Sequence, residues 1–540
     1  MTQRATQRAT RTAPARTATE PLDVAIVGGG LAGNLLARQL RRRSSTLRIG
    51  LFERSSETAY KVGEAVVEIA ANYLIRKQGL TRYLYENQLP KNGLRYFFDR
   101  ADRDCELEEM SEVGTIGFPF HPAFQIDRAR FEADLLQMNR TEGIEVETEA
   151  SVSEVEIGEI GSLHRFRVSR RGESTTHQAH WIIDATGRSG MFARMEDLRV
   201  AEPTHRVGSV WGRFEGVADI DAVGSDAFRN RVRHTTRRLS TIHFWYPGYW
   251  IWFIPLRGGV TSIGVTGEPV ADRREMRTPE GLREFLNSHR AVRELIRYAK
   301  NVDIGSYTKI AYGTRRFFHP DGWAVIGEAA TSTDPLYSPG GDFIALENDY
   351  IADLVCRHPS TDSAHDDLRK RCDLYDQYMQ FRHEAAMLLY RNLYSTHGSF
   401  ELARMKWDFD IAFYYNLWVS SYMRDQHLDT EYLRSQLRLK PFILQAMENF
   451  SSLFQRVEAH LRERGEYYRS NTGEFYYGLT NIDFAEEVGT SRNEQRVMDT
   501  SLDIFNCVRA QALVMLGMAT RVDEVEPLPL SGFIGRRELA

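Results

Sequence analysis

The sequence has few of the features that define several large classes of protein. Only four of its 540 residues are cysteine, namely Cys105, Cys356, Cys372 and Cys507, and none is close enough to another to form a Cys-x-x-Cys pair. This spacing argues against a disulfide framework or a metal site, and it is typical of a reducing compartment, so we predict a cytoplasmic protein. There is also no window of about 18 apolar residues, and therefore no membrane-spanning helix is expected.

A strong excess of one charge is lacking as well. The 69 Lys and Arg residues against 74 Asp and Glu residues give a formal net charge of −5, which excludes a polybasic nucleic-acid binder. The apolar fraction of 42% and the charged fraction of 26% are those of globular proteins. Residues 1–20 contain four Arg, no acid before Glu20 and no apolar run, so we predict a disordered tail there rather than a transit peptide.

A βαβ unit follows this tail. The apolar run at residues 24–27 leads into three glycines, then a helical pattern over residues 31–42, and then a second apolar run over residues 47–52. Short buried strands followed by helical periodicity indicate a parallel sheet covered by helices.

The glycines of this unit give the strongest functional signal. In the pattern Gly28-x-Gly30-x-x-Gly33, the first glycine permits a tight turn, the second lets a pyrophosphate approach the backbone, and the third allows close helix–strand packing. The helix that begins there offers unpaired N–H groups to the phosphates. Glu53, 25 residues after Gly28, ends the second strand where a carboxylate can bind a ribose. The sequence therefore predicts a dinucleotide site, for either a nicotinamide or a flavin.

Two later segments distinguish between these cofactors. Residues 184–187 (Asp-Ala-Thr-Gly) and residues 327–330 (Gly-Glu-Ala-Ala) each follow a short apolar strand. Together with the first fingerprint they resemble FAD-dependent enzymes of the glutathione-reductase-like type, in which the second segment lies beside the ribityl chain and the pyrophosphate. Glu328 stands where that family usually has aspartate. The sequence has no second dinucleotide fingerprint, which argues against a disulfide reductase.

Four local matches then resemble the flavin-dependent halogenases. They are Lys-Val-Gly-Glu-Ala at 61–65, Gln-Ile-Asp-Arg-x-x-Phe at 125–131, Trp-x-Trp-x-Ile-Pro at 250–255 and Asp-Pro-Leu-Tyr-Ser-Pro-Gly at 334–340. The tryptophan motif is the most specific of them, and the resemblance spans about residues 22–360. It implies FAD supplied in reduced form by a separate flavin reductase, and chloride or bromide as a further reactant. It also implies a small electron-rich aromatic or pyrrolic substrate, which in some members is carried by an acyl-carrier protein.

The fingerprint and the resemblance together predict a set of cofactor-binding residues. They are Gly28, Gly30, Leu31, Ala32, Gly33, Glu53, Arg54, Gly63, Glu64, Ala65, Arg128, Asp184, Gly327, Glu328, Pro335, Gly340 and Gly341.

The resemblance also predicts the catalytic residues. In the family, oxidised halogen travels from the flavin to a lysine beside the substrate. Lys91 lies 27 residues after Glu64 and opens the stretch Lys-Asn-Gly-Leu-Arg-Tyr-Phe at 91–97, which resembles the Lys-x-Gly-x-x-Phe context of the phenol- and pyrrole-type members. Lys61 and Lys77 are the alternatives. Trp250 and Trp252 are predicted to keep the substrate away from the flavin, or else simply to face a packed surface together.

Two residues depart from the family pattern. Tyr337 occupies the place of a glutamate that the tryptophan-type members use, so free tryptophan is not the expected substrate. Pro339 occupies a position whose N–H helps to hold the halide, and proline has no N–H. Only Gly340 and Gly341 remain as donors. A halogenase-like monooxygenase or oxidative decarboxylase that uses no halide is therefore the alternative function.

The predicted fold class is α/β, with an FAD-binding Rossmann-like domain, a β-rich substrate-domain insertion and an α-helical C-terminal region. Beyond the tail, we place the first part of the FAD domain at 21–220, the β-rich region at 221–310, the second part of the FAD domain at 311–358 and the helical region at 359–540. A further hypothesis is that this helical region is mainly a docking module for a carrier protein that presents a tethered substrate. A flavin-dependent reductase of isoprenoid double bonds shares the early motifs, but the tryptophan motif argues against it.

Overall fold

The computed structural model describes residues 16–17, 20–232, 234–357, 362–477, 488, 494–534 and 539. Most of the predicted tail lies outside these residues. Within it, Arg16–Thr17 forms a short strand that pairs in parallel with residues 175–176.

The described strands contribute to four sheets. In chain order they are β1 (Arg16–Thr17), β2 (Leu22–Val27), β3 (Ile49–Phe52), β4 (Ala65–Val66), β5 (Leu89–Pro90), β6 (Leu94–Phe98), β7 (Ser111–Val113), β8 (Phe124–Gln125), β9 (Glu145–Glu147), β10 (Ala150–Glu156), β11 (His164–Arg170), β12 (Glu173–Asp184), β13 (Arg199–Ala201), β14 (Gly208–Glu215), β15 (Thr241–Tyr246), β16 (Tyr249–Pro255), β17 (Val260–Gly267), β18 (Lys300–Asn301), β19 (Gly305–Tyr307), β20 (Tyr312–Thr314), β21 (Phe318–His319), β22 (Trp323–Val325) and β23 (Phe475–Tyr476).

The described α-helices cover the sheets and form the last third of the chain. They are α1 (Leu31–Arg43), α2 (Glu68–Asn72), α3 (Thr81–Asn87), α4 (Arg128–Thr141), α5 (Met191–Met195), α6 (Asp226–Asn230), α7 (Glu268–Asp272), α8 (Pro279–Asn287), α9 (Arg290–Leu295), α10 (Gly340–Cys356), α11 (Asp362–Leu388), α12 (Phe400–Ala412), α13 (Ser420–Met423), α14 (Thr430–Glu463), α15 (Glu494–Met515) and α16 (Leu530–Ile534).

The first sheet carries the glycine fingerprint. Its main path runs β10-β11-β12-β2-β3-β9, and β12, β2, β3 and β9 are parallel to one another. β2 and β3 are almost wholly buried, as expected for strands with helices on both faces. On one face α1 packs between α4 and α10, so the helix that follows the glycines also contacts the helix that opens at Gly340.

The second sheet faces the C-terminal helices. Its main path runs β18-β14-β17-β16-β15-β6-β7-β23. Along β16, Trp250 and Trp252 pack with the main core, whereas Ile251 and Phe253 belong to a separate core on the opposite face. This alternation follows from the two-residue period of a strand. The sheet therefore presents an aromatic face to the helices after residue 360.

This sheet draws on strands from outside the predicted β-rich range of 221–310. β6 pairs in parallel with β15, β14 begins at Gly208, and β23 pairs in parallel with β7. Such pairings join segments far apart in sequence, and local periodicity does not show them. The predicted fold class is confirmed: the protein is a mixed α/β protein with a helical C-terminal region.

Neither a membrane-spanning helix nor a metal cluster is found in the described residues. None of their helices combines the length and apolar character needed to cross a bilayer. No group of three His, Cys, Asp or Glu side chains among them is placed to hold a metal ion. All four cysteines are free.

Candidate active site

The three glycines of the fingerprint have different structural requirements. Gly28 has φ +115°, and an added Cβ would lie 2.2 Å from the carbonyl oxygen of Ala185. A Cβ at Gly33 would lie 2.0 Å from the carbonyl oxygen of Gly28, because α1 packs closely on β2. A Cβ at Gly30 would meet nothing within 4 Å, and no side chain caps the helix that begins after it. Close packing therefore requires glycine at positions 28 and 33. Gly30 instead borders open space at the N-terminus of α1.

Glu53 lies beside this open space, as its position at the end of β3 predicts. Its carboxylate accepts hydrogen bonds from the backbone N–H groups of Gly29 at 2.7 Å and Ser55 at 2.8 Å. Arg54, which follows it, is exposed. The arrangement holds a carboxylate at the edge of the glycine turn, where a ribose bound to a dinucleotide lies in this type of fold.

Asp184 is fully occupied by its own loop. The carboxylate is buried and accepts bonds from the N–H of Thr186 at 2.9 Å, from the hydroxyl of Thr186 at 2.6 Å and from the N–H of Phe192 at 2.7 Å. Burial raises its pKa, and these bonds oppose the rise. Asp184 thus fixes the turn after β12, and its role in binding a cofactor stays a prediction.

The residues around Gly327 are held in a similar way. The N–H of Gly327 donates to the buried carboxylate of Glu347 at 2.6 Å, and Gly327 itself has φ +57°. Glu328, in the place of the usual aspartate, forms an ion pair with Arg188 at 3.2 Å. The guanidinium of Arg188 also lies 4.1 Å from the ring centroid of Tyr307. The longer acidic side chain therefore binds a neighbouring arginine.

The carboxylate of Glu64 is bonded mainly through one of its two oxygens. Its Oε1 accepts two bonds from Arg213, at 3.0 and 2.7 Å, while its buried Oε2 has no hydrogen-bond partner. Burial raises the pKa of Glu64 to about 7, and the Arg213 charge opposes this. The hydroxyl of Ser262 lies near enough to this carboxylate to lower its pKa as well, although it forms no well-aligned bond to Oε2.

Ionic contacts fix the segment before Glu64. Gly63 has φ +89°, and an added Cβ would lie 2.9 Å from Nη1 of Arg128. That atom donates to the carbonyl of Val62 at 2.8 Å. Glu132 binds both Arg128 and Lys61, the latter at 2.6 Å. Lys61 is therefore engaged at the edge of the site.

The segment at 334–340 ends in the first turn of α10. Ser338 has φ +57°, and Pro339 is the N-cap residue, with no side-chain cap on the helix. A Cβ at Gly340 would meet nothing within 4 Å, whereas one at Gly341 would lie 2.8 Å from Cβ of Ala70. Gly340 and Pro335 are exposed. The N-terminus of this 17-residue helix is thus open, and the prolyl nitrogen contributes no donor to it.

Lys91 is one of the largest fully buried side chains of the protein. Its backbone N–H donates to the carbonyl of Ala123 at 2.8 Å, and its Nζ lies 3.4 Å from the carbonyl oxygen of Val66. Burial lowers the pKa of Lys91 to about 8, although the nearby carboxylates of Glu68 and Asp342 favour its charged form. Because its pKa is lowered to about 8, the amine can lose its proton at a mildly alkaline pH.

The alternative lysines lack this environment. Lys77 binds Asp425 at 2.6 Å and Lys61 binds Glu132, and in both pairs one side chain is substantially exposed. Of the three candidate lysines, Lys91 is the one whose side chain is fully buried.

The tryptophan pair lies on one face of β16 with both indole N–H groups satisfied. Trp250 donates to the hydroxyl of Tyr394 at 2.9 Å, and Trp252 donates to Ser262 at 3.3 Å. The ring of Trp252 lies over Gly264 of the neighbouring strand, where an added Cβ would be 2.4 Å from two ring carbons. The two indole centroids are 5.5 Å apart.

Three tyrosines lie where α10, α12 and the π-helical segment Phe413–Val419 meet. Tyr337, Tyr414 and Tyr415 lie deep in the protein, where burial raises their pKa values, yet their side chains keep accessible surface. The hydroxyl of Tyr414 donates to Asp342 at 3.0 Å, and that of Tyr415 donates to Glu68 at 2.7 Å. Two tyrosines of the C-terminal region therefore reach the carboxylates beside Lys91.

A buried polar cluster begins at Asp410, which accepts a hydrogen bond from Tyr337. We define it as Tyr96, His243 and Trp245 from the second sheet together with His397, Lys406 and Asp410 from the C-terminal region. The sequence alone does not predict this cluster. Its only local signal was the alternation of Tyr96, His243 and Trp245 with apolar residues along β6 and β15, and nothing local marks Lys406 or Asp410.

Comparison with known proteins identifies relatives of this chain. A family model described as FAD binding domain matches residues 21–301, more than half of the chain. The flavin-dependent halogenase chlA of Dictyostelium discoideum is 26% identical over 436 residues, which are 75% of this chain and 71% of that protein. A 1H-pyrrole-2-carbonyl-[peptidyl-carrier protein] chlorinase of Pseudomonas fluorescens is 24% identical over 357 residues, 61% of this chain and 74% of that one.

Solved structures show the same fold. The halogenase PltM in complex with phloroglucinol and FAD matches with a TM-score of 0.65 and 16% identity, over 89% of this chain and 96% of that one. The flavin-dependent halogenase CmlS matches with a TM-score of 0.53 and 22% identity, over 70% of this chain and 66% of that one. The PltM match extends into the helical region after residue 360.

Proposed function

Since the chain belongs to the FAD binding domain family and resembles its flavin-dependent halogenases, we propose that it halogenates an electron-rich aromatic or pyrrolic substrate. As an FAD-dependent oxidoreductase, it would receive FADH2 from a separate flavin reductase and use O2 and a halide. The observation that carries this proposal is Lys91: a fully buried lysine with a lowered pKa, whose Nζ lies 3.4 Å from the carbonyl oxygen of Val66 and near the carboxylate of Asp342 in the first turn of α10.

The residues of the first sheet fit FAD. The open side of Gly30 and the uncapped start of α1 suit a pyrophosphate, and Glu53 suits a ribose. The unpartnered Oε2 of Glu64 is an acceptor suited to a polar edge of the flavin ring. Bound there, FAD would supply the oxidation of halide by O2. The protein would orient the ring and exclude water.

Lys91 would hold the oxidised halogen near the substrate. Its amine lies in a dry environment flanked by Glu68 and Asp342, and these two carboxylates are bonded by Tyr415 and Tyr414. In such surroundings the neutral amine becomes accessible, which is the form able to bind an electrophilic halogen.

Trp250 and Trp252 would act as a wall. Both side chains are held by hydrogen bonds on one face of β16, and the close contact of Trp252 with Gly264 fixes its plane. A rigid aromatic wall is suited to separating a substrate from the flavin. This role favours transfer of a mobile oxidised halogen over direct oxygen transfer.

A halide would bind at the start of α10. The N–H groups of Gly340 and Gly341 belong to the uncapped first turn, which attracts anions. Because Pro339 donates nothing, we expect chloride to bind weakly and the less strongly hydrated bromide to bind better. This one residue also supports the second candidate function, a halogenase-like monooxygenase or oxidative decarboxylase that uses no halide.

A carrier-tethered substrate is a further part of the proposal. The pyrrole chlorinase among the relatives acts, by its name, on a substrate attached to a peptidyl-carrier protein. An acyl-carrier protein is therefore a candidate partner here. Free and carrier-bound forms of one substrate, compared in the same assay, distinguish the two modes of delivery.

Product mass spectrometry tests the proposal. The protein is supplied with FAD, NADH, a flavin reductase, O2 and either chloride or bromide, together with phenols, pyrroles and indoles. We expect a halogen isotope pattern in the product of the wild type and none with Lys91→Met, while Lys77→Met behaves as the wild type. An oxygenated or decarboxylated product formed irrespective of halide would establish the second candidate instead.

A further inference from the structure

We propose that Arg382 of α11 is the centre of a second halide site, buried among the C-terminal helices and separate from the site at the start of α10. The inference goes beyond the proposed function, because binding at this place requires no turnover. It is carried by a buried cation that has no counter-ion in contact among the described residues, and by two buried donors near it that lack acceptors there.

Arg382 lies in the interior with its charge unpaired. The residue is only 3% exposed, and its Nε is buried without a hydrogen-bond partner. In the part of the chain that the structure describes, no carboxylate forms an ion pair with its guanidinium. An arginine stays charged in proteins, and burying a charge without a partner is strongly unfavourable. An anion bound from solution would remove this cost.

An aromatic contact offsets part of the cost. The Cζ of Arg382 lies 4.3 Å from the ring centroid of Trp418, which belongs to the π-helical segment Phe413–Val419. A cation–π contact attracts the guanidinium but adds no negative charge, so it orients Arg382 without neutralising it. Turns of π-helix are rare and occur frequently at functional sites. The contact therefore holds the cation at a place where a ligand is expected.

Two further donors in this region lack acceptors. Within the described residues, the indole Nε1 of Trp418 and the hydroxyl of Tyr350 are both buried without a hydrogen-bond partner. Burial and neighbouring tyrosines raise the pKa of Tyr350, and the charge of Arg382 opposes this rise. Buried Trp and Tyr side chains usually find partners for their polar atoms. Helices α10 and α11 and the π-helical segment thus bring three unsatisfied donor groups near one charge.

The carboxylate of Asp342 also feels the charge of Arg382, but it is engaged elsewhere. It accepts from the N–H of Ala70 at 2.9 Å and from the hydroxyl of Tyr414 at 3.0 Å. Burial raises its pKa to about 7, and the bond from Ala70 and the charge of Arg382 oppose this only in part. Asp342 is therefore only partly ionised near neutral pH and does not neutralise Arg382.

The surroundings indicate which anion fits. Arg382, Trp418 and Tyr350 are 3%, 5% and 0% exposed, so a ligand held between them must be small and must lose its water. A halide is a single atom and accepts hydrogen bonds from any direction, whereas an organic acid brings a chain that needs more room. Bromide is less strongly hydrated than chloride, and we therefore expect it to bind more tightly.

An occupied site would connect the C-terminal helices to the catalytic lysine. The ion would join α11 to the π-helical segment, and the same segment carries Tyr414, which donates to Asp342 beside Lys91. Halide would thus stabilise the packing of this segment in addition to serving as a reactant at the start of α10.

Thermal unfolding of the oxidised, FAD-loaded protein tests the inference in solution. Melting temperatures are compared in sodium bromide, sodium chloride and sodium gluconate of equal ionic strength, since gluconate is too large for the site. A ligand that binds only the folded state stabilises it, so we expect a rise of about 2 °C or more in bromide relative to gluconate, and a smaller rise in chloride. Equal melting temperatures in bromide and gluconate overturn the inference.

Variants locate the effect. Arg382→Met replaces the charge by an apolar side chain of similar length, so the difference between bromide and gluconate should disappear while the protein stays folded in gluconate. Arg371→Met is the matched control: it lies on the same helix, but its guanidinium is paired with Asp367 at 2.9 Å, so the difference should persist. If Arg382→Met does not fold, Trp418→Phe should raise the bromide concentration needed for half of the effect about tenfold.

Anomalous diffraction places the ion directly. Crystals of the FAD-loaded protein grown in bromide should show an anomalous peak in contact with the guanidinium of Arg382, and Arg382→Met should lack it. A peak at the start of α10 alone would agree with the proposed function and would overturn this inference. A peak at Arg382 without any stabilisation in solution would mean binding at crystal concentration only, and would overturn it as well.

Discussion

The indole N–H of Trp250 donates to the hydroxyl of Tyr394 at 2.9 Å, and this hydroxyl in turn donates to Asp334 at 2.5 Å. Asp334 also accepts from Nε2 of His205 at 2.7 Å. One tyrosine from the C-terminal region thus connects the tryptophan strand to the segment that opens α10. We expect both segments to face the flavin. Their placement relative to each other therefore depends on Tyr394, which belongs to neither motif.

Removing that hydroxyl should loosen both segments. In Tyr394→Phe the N–H of Trp250 loses its acceptor and becomes an unpaired buried group, which costs about 1–3 kcal/mol, whereas Asp334 loses one donor but keeps His205. We expect a loss of about 2 kcal/mol in the free energy of unfolding. Urea titration of the FAD-loaded protein measures it.

The matched control is Tyr298→Phe, because Tyr298 is 82% exposed. A surface hydroxyl of this kind should contribute less than about 0.5 kcal/mol. A double variant, Tyr394→Phe with Asp334→Asn, should show a non-additive loss, since the two side chains share one bond. Additive losses would mean that Tyr394 does not couple the two segments.

The lowered pKa of Lys91 predicts a pH dependence with a definite sign. Burial brings this pKa to about 8, so the amine is charged below about pH 8 and neutral above it. If the neutral amine takes up the oxidised halogen, the fraction of reduced flavin that ends in halogenated product should rise with pH and level off above about pH 8.

The measurement is the ratio of halogenated product to released hydrogen peroxide between about pH 6 and about pH 10. Lys91→Met removes the amine, so its residual ratio should be low and independent of pH. Lys77→Met, whose amine is paired with Asp425, should follow the wild type. A wild-type ratio that falls as pH rises through this range contradicts the assignment.

The sequence predicts the parts of the site that depend on local pattern. The open side of Gly30 and the strained φ of Gly28 follow from turn and packing requirements that the fingerprint spells out. The common face of Trp250 and Trp252 follows from strand alternation. These features need only neighbours along the chain, so residue type and spacing suffice.

The rest depends on pairings distant in sequence. Asp410 meets Tyr337 across 73 residues, and Tyr394 meets Trp250 across 144. A lysine and an aspartate four apart on a helix usually form a solvated pair, so their burial is invisible in the sequence. His243 illustrates the same limit: nothing near it in the sequence shows that it is fully buried and that the charge of Lys91 helps to lower its pKa.

The glycines allow FAD binding to be tested separately from folding. Gly30→Ala places a Cβ in open space, so the stability of the FAD-free protein should change little, while FAD affinity should fall at least about tenfold because a pyrophosphate needs that space. Gly33→Ala places a Cβ 2.0 Å from a backbone oxygen and should lower the melting temperature of the FAD-free protein itself. Thermal melts and flavin fluorescence titrations measure the two effects. A Gly30→Ala variant that binds FAD normally would show that no phosphate lies there.

The halide site can be tested by giving residue 339 the backbone N–H donor that proline lacks. Its substitution by alanine adds one N–H at the start of α10, next to Gly340 and Gly341, and α10 is long enough to focus positive potential there. A hydrogen bond to an anion contributes about 1.5–3 kcal/mol, so the chloride concentration needed for half-maximal halogenation should fall about tenfold or more. Bromide should gain less, because it depends less on each donor. Pro441→Ala, in the middle of α14, controls for the loss of a proline. If Pro339→Ala leaves the halide dependence unchanged, then no halide binds at this helix N-terminus. That result would favour the alternative function, a monooxygenase or oxidative decarboxylase that uses no halide.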